Sequence, residues 1–181
     1  MRKWNALLSM GILVLFLVHA IAGALNLAGL SAGGSQFMKV LAWVMTALIA
    51  AHTLIGIKLT ADTLRASKKS GVSYPKENRL FWLRRLSGFA IMLFIVCHLL
   101  IFAGGGENFR LHLFAGAELT TQILLVLSIA VHVLTNIKPL MLALGARGMR
   151  ELLTDVLLVL TVLLLLSGTA FVVYYVRWRV F

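Results

Sequence analysis

The chain has 181 residues, of which 61% are hydrophobic and 13% are charged, and its mean hydropathy is +0.97. This composition excludes an ordinary soluble globular protein and indicates a chain that uses lipid as part of its solvent. The formal net charge of +11 does not indicate nucleic-acid binding, because the Lys and Arg residues lie between apolar stretches. Positive-inside topology and anionic lipid headgroups account for them there.

Five apolar stretches follow one another, each long enough to cross a hydrocarbon core of about 30 Å at about 1.5 Å per residue. Isolated strands cannot cross lipid, and no alternating pattern indicates a barrel, so these stretches predict helices. We therefore expect an all-α membrane protein, with residues 1–181 forming a single transmembrane domain and the first four spans forming a bundle. The predicted spans cover about residues 6–27, 37–57, 86–103, 119–137 and 152–176.

The first span shares features with a secretory signal peptide. It follows Met1, Arg2 and Lys3, and it contains a small-residue stretch from Ala20 to Ala24. Its apolar run is long for a signal core, so we interpret it as a retained helix, while cleavage stays open as an alternative.

Charges between the spans predict the orientation of the chain. The link 28–36 carries no charge. The link 58–85 holds eight cations: Lys58, Arg65, Lys68, Lys69, Lys76, Arg79, Arg84 and Arg85. By the positive-inside rule the N-terminus is cytoplasmic and the C-terminus is outside, although Arg177 and Arg179 at the outer end violate it. Ser70, Gly71 and Pro75 predict a turn in the basic link. We expect a multi-pass protein of the cell membrane.

Each of the first four spans contains one histidine, and their spacing indicates an internal repeat. His19 and His98 are 79 residues apart, and His52 and His132 are 80 apart. Residues 13–19 also resemble 91–98, and the sequence after His52 resembles that after His132. We interpret the chain as two related helix pairs followed by a fifth helix.

Depth in the membrane sorts these histidines into two pairs. His19 and His98 lie 13 and 12 residues from the cytoplasmic ends of their spans, a depth of roughly 18–20 Å. His52 and His132 each precede a lysine by six residues, a depth of roughly 9 Å. Two pairs about 10 Å apart along the membrane normal are typical of two stacked metal centres, each with one imidazole from each of two helices. This pattern predicts two bis-histidine haems b with these residues as iron ligands.

Alternatives to haem account less well for this pattern of intramembrane histidines. A single histidine is equally well explained as a neutral imidazole bonded to a neighbouring helix. Zinc more often collects three or four ligands at one depth. A proton relay would more often include intramembrane Asp or Glu, which the first four spans lack.

Several other residues are candidates for the surroundings of the haems. Gly23 and Gly56 each follow a histidine by four residues and would let a flat ring approach, although helix packing also explains them. Cations at the inner face are candidates for the inner haem's propionates, although the positive-inside rule also explains them: Lys58, Arg84, Arg85 and Lys138. Polar residues near the outer face are candidate quinone ligands: Asn26, Gln36, His112 and Glu118.

With one histidine in each of four spans, none in the fifth, and the stretch RRLSGFAIMLFIVCH, the chain resembles the two-haem cytochrome b anchors of succinate dehydrogenases and fumarate reductases. The resemblance covers nearly the whole chain. In that family the first and third spans ligate the distal haem, the second and fourth ligate the proximal haem, and menaquinone meets the distal haem. It implies partners on the cytoplasmic side, an iron–sulfur subunit and a flavoprotein subunit, and no substrate chemistry by this chain alone.

The chain departs from that family at a site of proton transfer. Some members carry a glutamate two residues before the fourth-span histidine, where this chain has Ala130. An alternative is a self-contained transmembrane oxidoreductase similar to the ascorbate-dependent cytochrome b ferric reductases. Those also place one ligand histidine on each of four helices, but they usually have a sixth helix.

Overall fold

The computed structural model describes residues 2–33, 35–71, 78–103, 114–145 and 150–179. These residues form five α-helices: α1 Arg2–Leu27, α2 Gln36–Ser70, α3 Arg79–Phe102, α4 Gly116–Ala143 and α5 Arg150–Arg179. Each is long and apolar enough to cross a membrane. The predictions of an all-α fold and of five spans are therefore confirmed, and the architecture is that of a multi-pass membrane protein.

The helices extend beyond the predicted apolar spans. The largest difference is in α2, which continues past Ile57 to Ser70 and ends at Gly71, whose φ of 69° forms a left-handed C-cap. A helix satisfies its own backbone hydrogen bonds, so it need not end where the lipid ends. Glycine adopts the left-handed conformation without steric cost, which explains why the predicted turn begins there.

The helices alternate in direction, which gives the bundle two distinct ends. We call the end that holds the first residues of α1, α3 and α5 and the last residues of α2 and α4 the basic end, and the opposite one the far end. Helix α1 packs along α2 and α5 and also contacts α4, α3 packs along α4, and α4 packs along α5. Among the described helices, α2 has its extensive backbone contact with α1 alone.

The buried core lies towards the far end, between α1, the start of α4 and the end of α5. It is formed by Leu27, Phe114, Ala170, Phe171 and Tyr174. Many large apolar side chains instead face outwards, as in Leu100, which is 79% exposed. A lipid-facing surface requires this distribution, because hydrocarbon solvates such side chains as well as the protein interior does.

Pro139 lies inside α4, where proline cannot donate the backbone hydrogen bond that would reach the carbonyl four residues earlier. That carbonyl belongs to Thr135, and it accepts a hydrogen bond of 3.1 Å from Nε of Arg84 on α3. A side chain of the neighbouring helix thus replaces the missing donor, and α4 continues to Ala143.

Arg177 has a structural role at the far end, where the positive-inside rule did not predict a cation. Its Nη1 donates a hydrogen bond of 3.0 Å to the carbonyl oxygen of Ala28, just past the end of α1. A cation is favourable at a helix C-terminus because the exposed carbonyls there carry partial negative charge.

Candidate functional site

A cavity of about 1120 Å³ lies between the α1–α2 pair and the α3–α4 pair. Its lining extends from Asn5 and Arg85 at the basic end to Asn26 and Lys39 at the far end. A single small-molecule site usually encloses about 300–1,000 Å³, so this cavity exceeds what one ordinary ligand occupies. All four intramembrane histidines are among its lining residues: His19, His52, His98 and His132.

The histidines face each other across this cavity in two pairs. The ring centroids of His19 and His98 are 6.1 Å apart, with an interplanar angle of 74°. Those of His52 and His132 are 6.4 Å apart, with an angle of 88°. The structure thus brings together the same residues that depth in the sequence had grouped.

Hydrogen bonds fix the ring of His132 with Nε2 free of a proton. Its Nδ1 lies 3.2 Å from the carbonyl oxygen of Arg84 and 3.2 Å from the hydroxyl oxygen of Ser87. A carbonyl oxygen can only accept, so Nδ1 carries a hydrogen, and in the neutral ring Nε2 then keeps its lone pair.

His52 is also held by a hydrogen bond from its Nδ1. The Ser9 hydroxyl donates to the carbonyl oxygen of Asn5 at 2.8 Å, so its oxygen is an acceptor for Nδ1–H of His52 at 3.3 Å. An imidazole ligand of a metal ion usually has its second nitrogen bonded in this way, because that bond sets the tautomer and the ring orientation.

The ring of His98 has the shortest of these contacts. Its Nδ1 lies 2.7 Å from Oε1 of Gln122, a fully buried residue of α4. For His19, no hydrogen-bond partner lies in the described part of the chain. The two pairs therefore differ in how their rings are held.

Glycines keep space open next to the histidines. A Cβ atom added at Gly88 would be in van der Waals contact with the ring of His132, at 3.4 Å from its Cε1, so side-chain atoms beyond Cβ would press on the ring. Gly23 and Gly56 line the cavity, and a Cβ at either position would meet nothing within 4 Å. A side chain at these two positions would instead enter the cavity.

The two histidine pairs are farther apart than the sequence suggested. Ser9, which contacts His52, precedes His19 by ten residues, and Ser87, which contacts His132, precedes His98 by eleven. At about 1.5 Å per residue, these offsets separate the pairs by roughly 15 Å along the helices, instead of about 10 Å. The predicted depth of His52 was measured from Lys58, which does not mark the end of the helix, because α2 continues to Ser70.

The ring separations match those of two imidazoles bound to opposite sides of one metal ion. A metal–nitrogen bond of about 2 Å on each side, plus roughly 1.1 Å from each nitrogen to its ring centre, gives about 6.2 Å between centroids. Over the described ranges, no group of three or more His, Cys, Asp or Glu side chains could hold a metal ion. Each pair could therefore supply two imidazole nitrogens to one bound group.

Comparison with protein-family models, curated proteins and solved structures finds no match for this chain.

The basic residues predicted to meet propionates lie in two environments. Arg84 and Arg85 are half-buried and line the cavity, and the guanidinium of Arg85 lies 5.2 Å from the centre of the Phe81 ring. Lys58 and Lys138 are exposed and do not line it. Only the two arginines are positioned to contact a group inside the cavity.

The residues predicted to contact quinone are not brought together. Asn26 lines the far end of the cavity, and its Oδ1 accepts a hydrogen bond from the Ser31 hydroxyl. Gln36 is exposed at the start of α2, and the Glu118 carboxylate accepts a hydrogen bond of 2.7 Å from the backbone N–H of Ala115. His112 lies outside the described residues.

Sequence reasoning missed the roles of three polar residues at this site. Ser9 and Gln122 hold histidine rings, and Asn5 lines the basic end of the cavity with its Oδ1 buried and without a hydrogen-bond partner among the described residues. Buried polar atoms are usually paired with protein groups, water or a bound group, so this amide is a candidate contact for a group in the cavity. Ser9 and Gln122 are polar side chains inside apolar spans, where each has a cost, but that cost does not indicate which ring on a neighbouring helix each of them contacts.

Proposed function

We propose that this chain is a di-haem cytochrome b of the cell membrane. In this proposal it is the anchor of a complex similar to succinate dehydrogenase or fumarate reductase. It would carry electrons between a membrane quinone, such as menaquinone, and an iron–sulfur subunit joined to a flavoprotein subunit.

One observation carries the proposal: two histidine pairs with centroid separations of 6.1 and 6.4 Å line one cavity. Three of the four rings have a bonded Nδ1, which leaves Nε2 as the ligating atom. The open space beside Gly23 and Gly56 further supports a large flat group between the helix pairs.

The residues of the chain have distinct roles in this proposal. Two haems b, when bound, supply reversible one-electron chemistry. His19 and His98 hold the outer haem, and His52 and His132 hold the inner one. Apolar side chains line most of the cavity and would give the bound haems a mainly apolar environment.

Propionate groups of the inner haem would find hydrogen-bond donors at the basic end of the cavity. Arg84 and Arg85 line it there, and the side-chain amide of Asn5 is also available, since amide oxygen and nitrogen can exchange places by rotation. These contacts would also satisfy the buried Asn5 amide.

Charge supports the positions of the partners. The basic end carries the exposed Lys58, Arg65, Lys68 and Lys69 of α2, which favours a cytoplasmic orientation and an acidic partner surface. At the far end the cavity is lined by Asn26, Ser31 and Lys39, which are polar enough to bind a quinone carbonyl. The iron–sulfur subunit would therefore dock at the basic end and quinone at the far end.

The first test is haem stoichiometry, measured by pyridine haemochrome on the complex purified in detergent. We expect two haems b per chain, together with co-purified iron–sulfur and flavoprotein subunits. Two haems without these subunits would favour the self-contained oxidoreductase, and a preparation without haem would contradict the proposal.

Single substitutions test the pairing. Replacing His52 or His132 by Ala should remove one haem and leave the other, and replacing His19 or His98 should have the opposite effect. The two remaining haems are distinguished by their redox potentials. Loss of one haem in His19→Ala with retention of both in His98→Ala would show that the pairing is wrong.

A further inference from the structure

We propose that Gln122 is a positioning residue of the outer haem site, where it holds His98 as a ligand and lowers the reduction potential of that haem. This inference rests on the proposed function, and it concerns a residue that does not touch the metal ion.

The orientation of the Gln122 amide is fixed by its neighbours on α4. The Thr121 hydroxyl donates to the carbonyl oxygen of Glu118 at 2.7 Å, so its oxygen accepts the hydrogen bond of 3.1 Å from Nε2 of Gln122. Oε1 must then face His98, where it can only accept. The contact of 2.7 Å is therefore a hydrogen bond donated by Nδ1–H of His98.

Because Gln122 is completely buried, its amide depends on hydrogen bonds from the protein. Gln122 is 0% exposed and is the largest fully buried side chain of the described residues. An amide in such a position loses several hydrogen bonds to water unless the protein replaces them. The contacts with Thr121 and His98 replace them, which explains why a polar side chain is tolerated inside this span.

Among the described residues, the outer site has no second bond of this kind, and the internal repeat offers a reason for this. Gln122 precedes His132 by ten residues on α4, and the position ten residues before His52 on α2 is Ala42, which lines the cavity. An alanine side chain cannot accept a hydrogen bond, so the position that would serve His19 is apolar. The Ser9–His52 and Ser87–His132 contacts, in contrast, are equivalent in the two helix pairs.

In the described part of the chain, the Gln122 amide is thus the one hydrogen-bond partner of the outer pair. A bond from Nδ1–H to an acceptor increases the electron density that the imidazole donates through Nε2, which stabilises the oxidised metal and lowers its potential. Removing the acceptor should raise the potential of the outer haem, and a carboxylate in the same place should lower it.

The test compares Gln122→Leu, Gln122→Glu and the matched control Ser87→Ala in the purified complex. Redox titration with electron paramagnetic resonance follows each haem, and the outer signal is assigned by its loss in His19→Ala. We expect the outer potential to rise in Gln122→Leu and to fall in Gln122→Glu, with the inner potential unchanged. Ser87→Ala should shift only the inner haem.

A second outcome also supports the inference: loss of the outer haem in Gln122→Leu and its retention in Gln122→Glu, which keeps an acceptor. The inference is overturned if both variants bind two haems with unchanged outer potential, shift it in the same direction, or both lose the outer haem. Failure of the proposed function gives a different result: the wild-type protein itself would bind no haem.

Discussion

At the scale of single residues, the site depends on small and polar side chains that hold the imidazole rings. Gly88 leaves just enough space for His132, since a Cβ atom there would lie 3.4 Å from Cε1 of the ring. Ser87 contacts Nδ1 of the same ring at 3.2 Å. These two adjacent residues of α3 together determine where the ring of an α4 residue can lie.

We therefore expect Gly88→Val to displace His132 and to reduce binding of the inner haem strongly, while the outer haem stays. The added methyl groups cannot be accommodated without moving a ring or a helix, because packed interiors contain few voids of that size. Haem content by pyridine haemochrome and the redox titration measure the effect.

The matched control is Gly11→Val, since a Cβ at Gly11 meets nothing within 4 Å and Gly11 does not line the cavity. It should keep both haems. Equal haem loss in the two variants would mean that valine disturbs any helix of this bundle, and the specific role of Gly88 would be refuted.

The histidines could be found from the sequence, whereas the residues that hold them could not. Histidine is rare in apolar spans, and equal spacing along the chain grouped His19 with His98 and His52 with His132. Ser9 and Gln122 give no such signal, because their partners lie on a neighbouring helix and depend on helix rotation and register. Spacing determines depth along one helix, and only packing determines which side chains meet.

At the scale of helices, α4 depends on α3 for the integrity of its last turns. Pro139 cannot donate to the Thr135 carbonyl, and Nε of Arg84 donates to it instead at 3.1 Å. This contact joins the two helices close to His132, so it also stabilises the cavity wall.

Replacing Arg84 by Ala should destabilise the protein by roughly 1–3 kcal/mol, the usual cost of leaving a half-buried carbonyl without a donor. In a Pro139→Ala background, the new N–H can bond to Thr135, and the same Arg84→Ala change should cost clearly less. Thermal unfolding in detergent, measured for the four proteins of this double-mutant cycle, gives the coupling.

The cycle separates the helix role of Arg84 from its proposed contact with a propionate. A propionate contact would be lost equally in both backgrounds, since Pro139→Ala does not change it. Equal costs of Arg84→Ala in the two backgrounds would therefore refute the helix role.

The sequence predicted all five helices, but it placed their ends at the limits of the apolar stretches, whereas the helices continue beyond those limits. Hydropathy detects the part of a helix that lies in lipid, and α2 continues for about three and a half turns beyond it, to Ser70. The predicted fourth span ended at Ile137, before Pro139. The helix nevertheless reaches Ala143, because Arg84 of the neighbouring helix donates the hydrogen bond that the proline cannot.

At the scale of the whole molecule, the cavity separates the two related helix pairs. Helices α3 and α4 pack along each other, whereas α2 has its extensive backbone contact with α1 alone among the described helices. Across the cavity, Oγ1 of Thr53 on α2 lies 3.3 Å from Sδ of Met92 on α3, but its hydroxyl hydrogen is directed to the carbonyl oxygen of Ile49 at 2.9 Å, so this contact across the cavity is weak. Packing on α1 therefore holds α2 in place, and a group bound between His52 and His132 would add a link across the cavity.

We accordingly expect haem binding to stabilise α2 more than any other helix. A ligand held by residues on two helix pairs favours the state in which both are in place, and local opening is easiest where few packed contacts must break. The test is hydrogen exchange of the purified protein with haem and after expression without haem supply.

Loss of haem should greatly increase exchange in α2, and should increase it only slightly in α3 and α4. His132→Ala should reproduce the change in α2 next to His52 while haem remains at His19, since that variant retains α1–α2 packing but loses the link across the cavity. A uniform increase over all five helices would mean that the bundle opens as one unit, and that bound haem does not specifically hold α2.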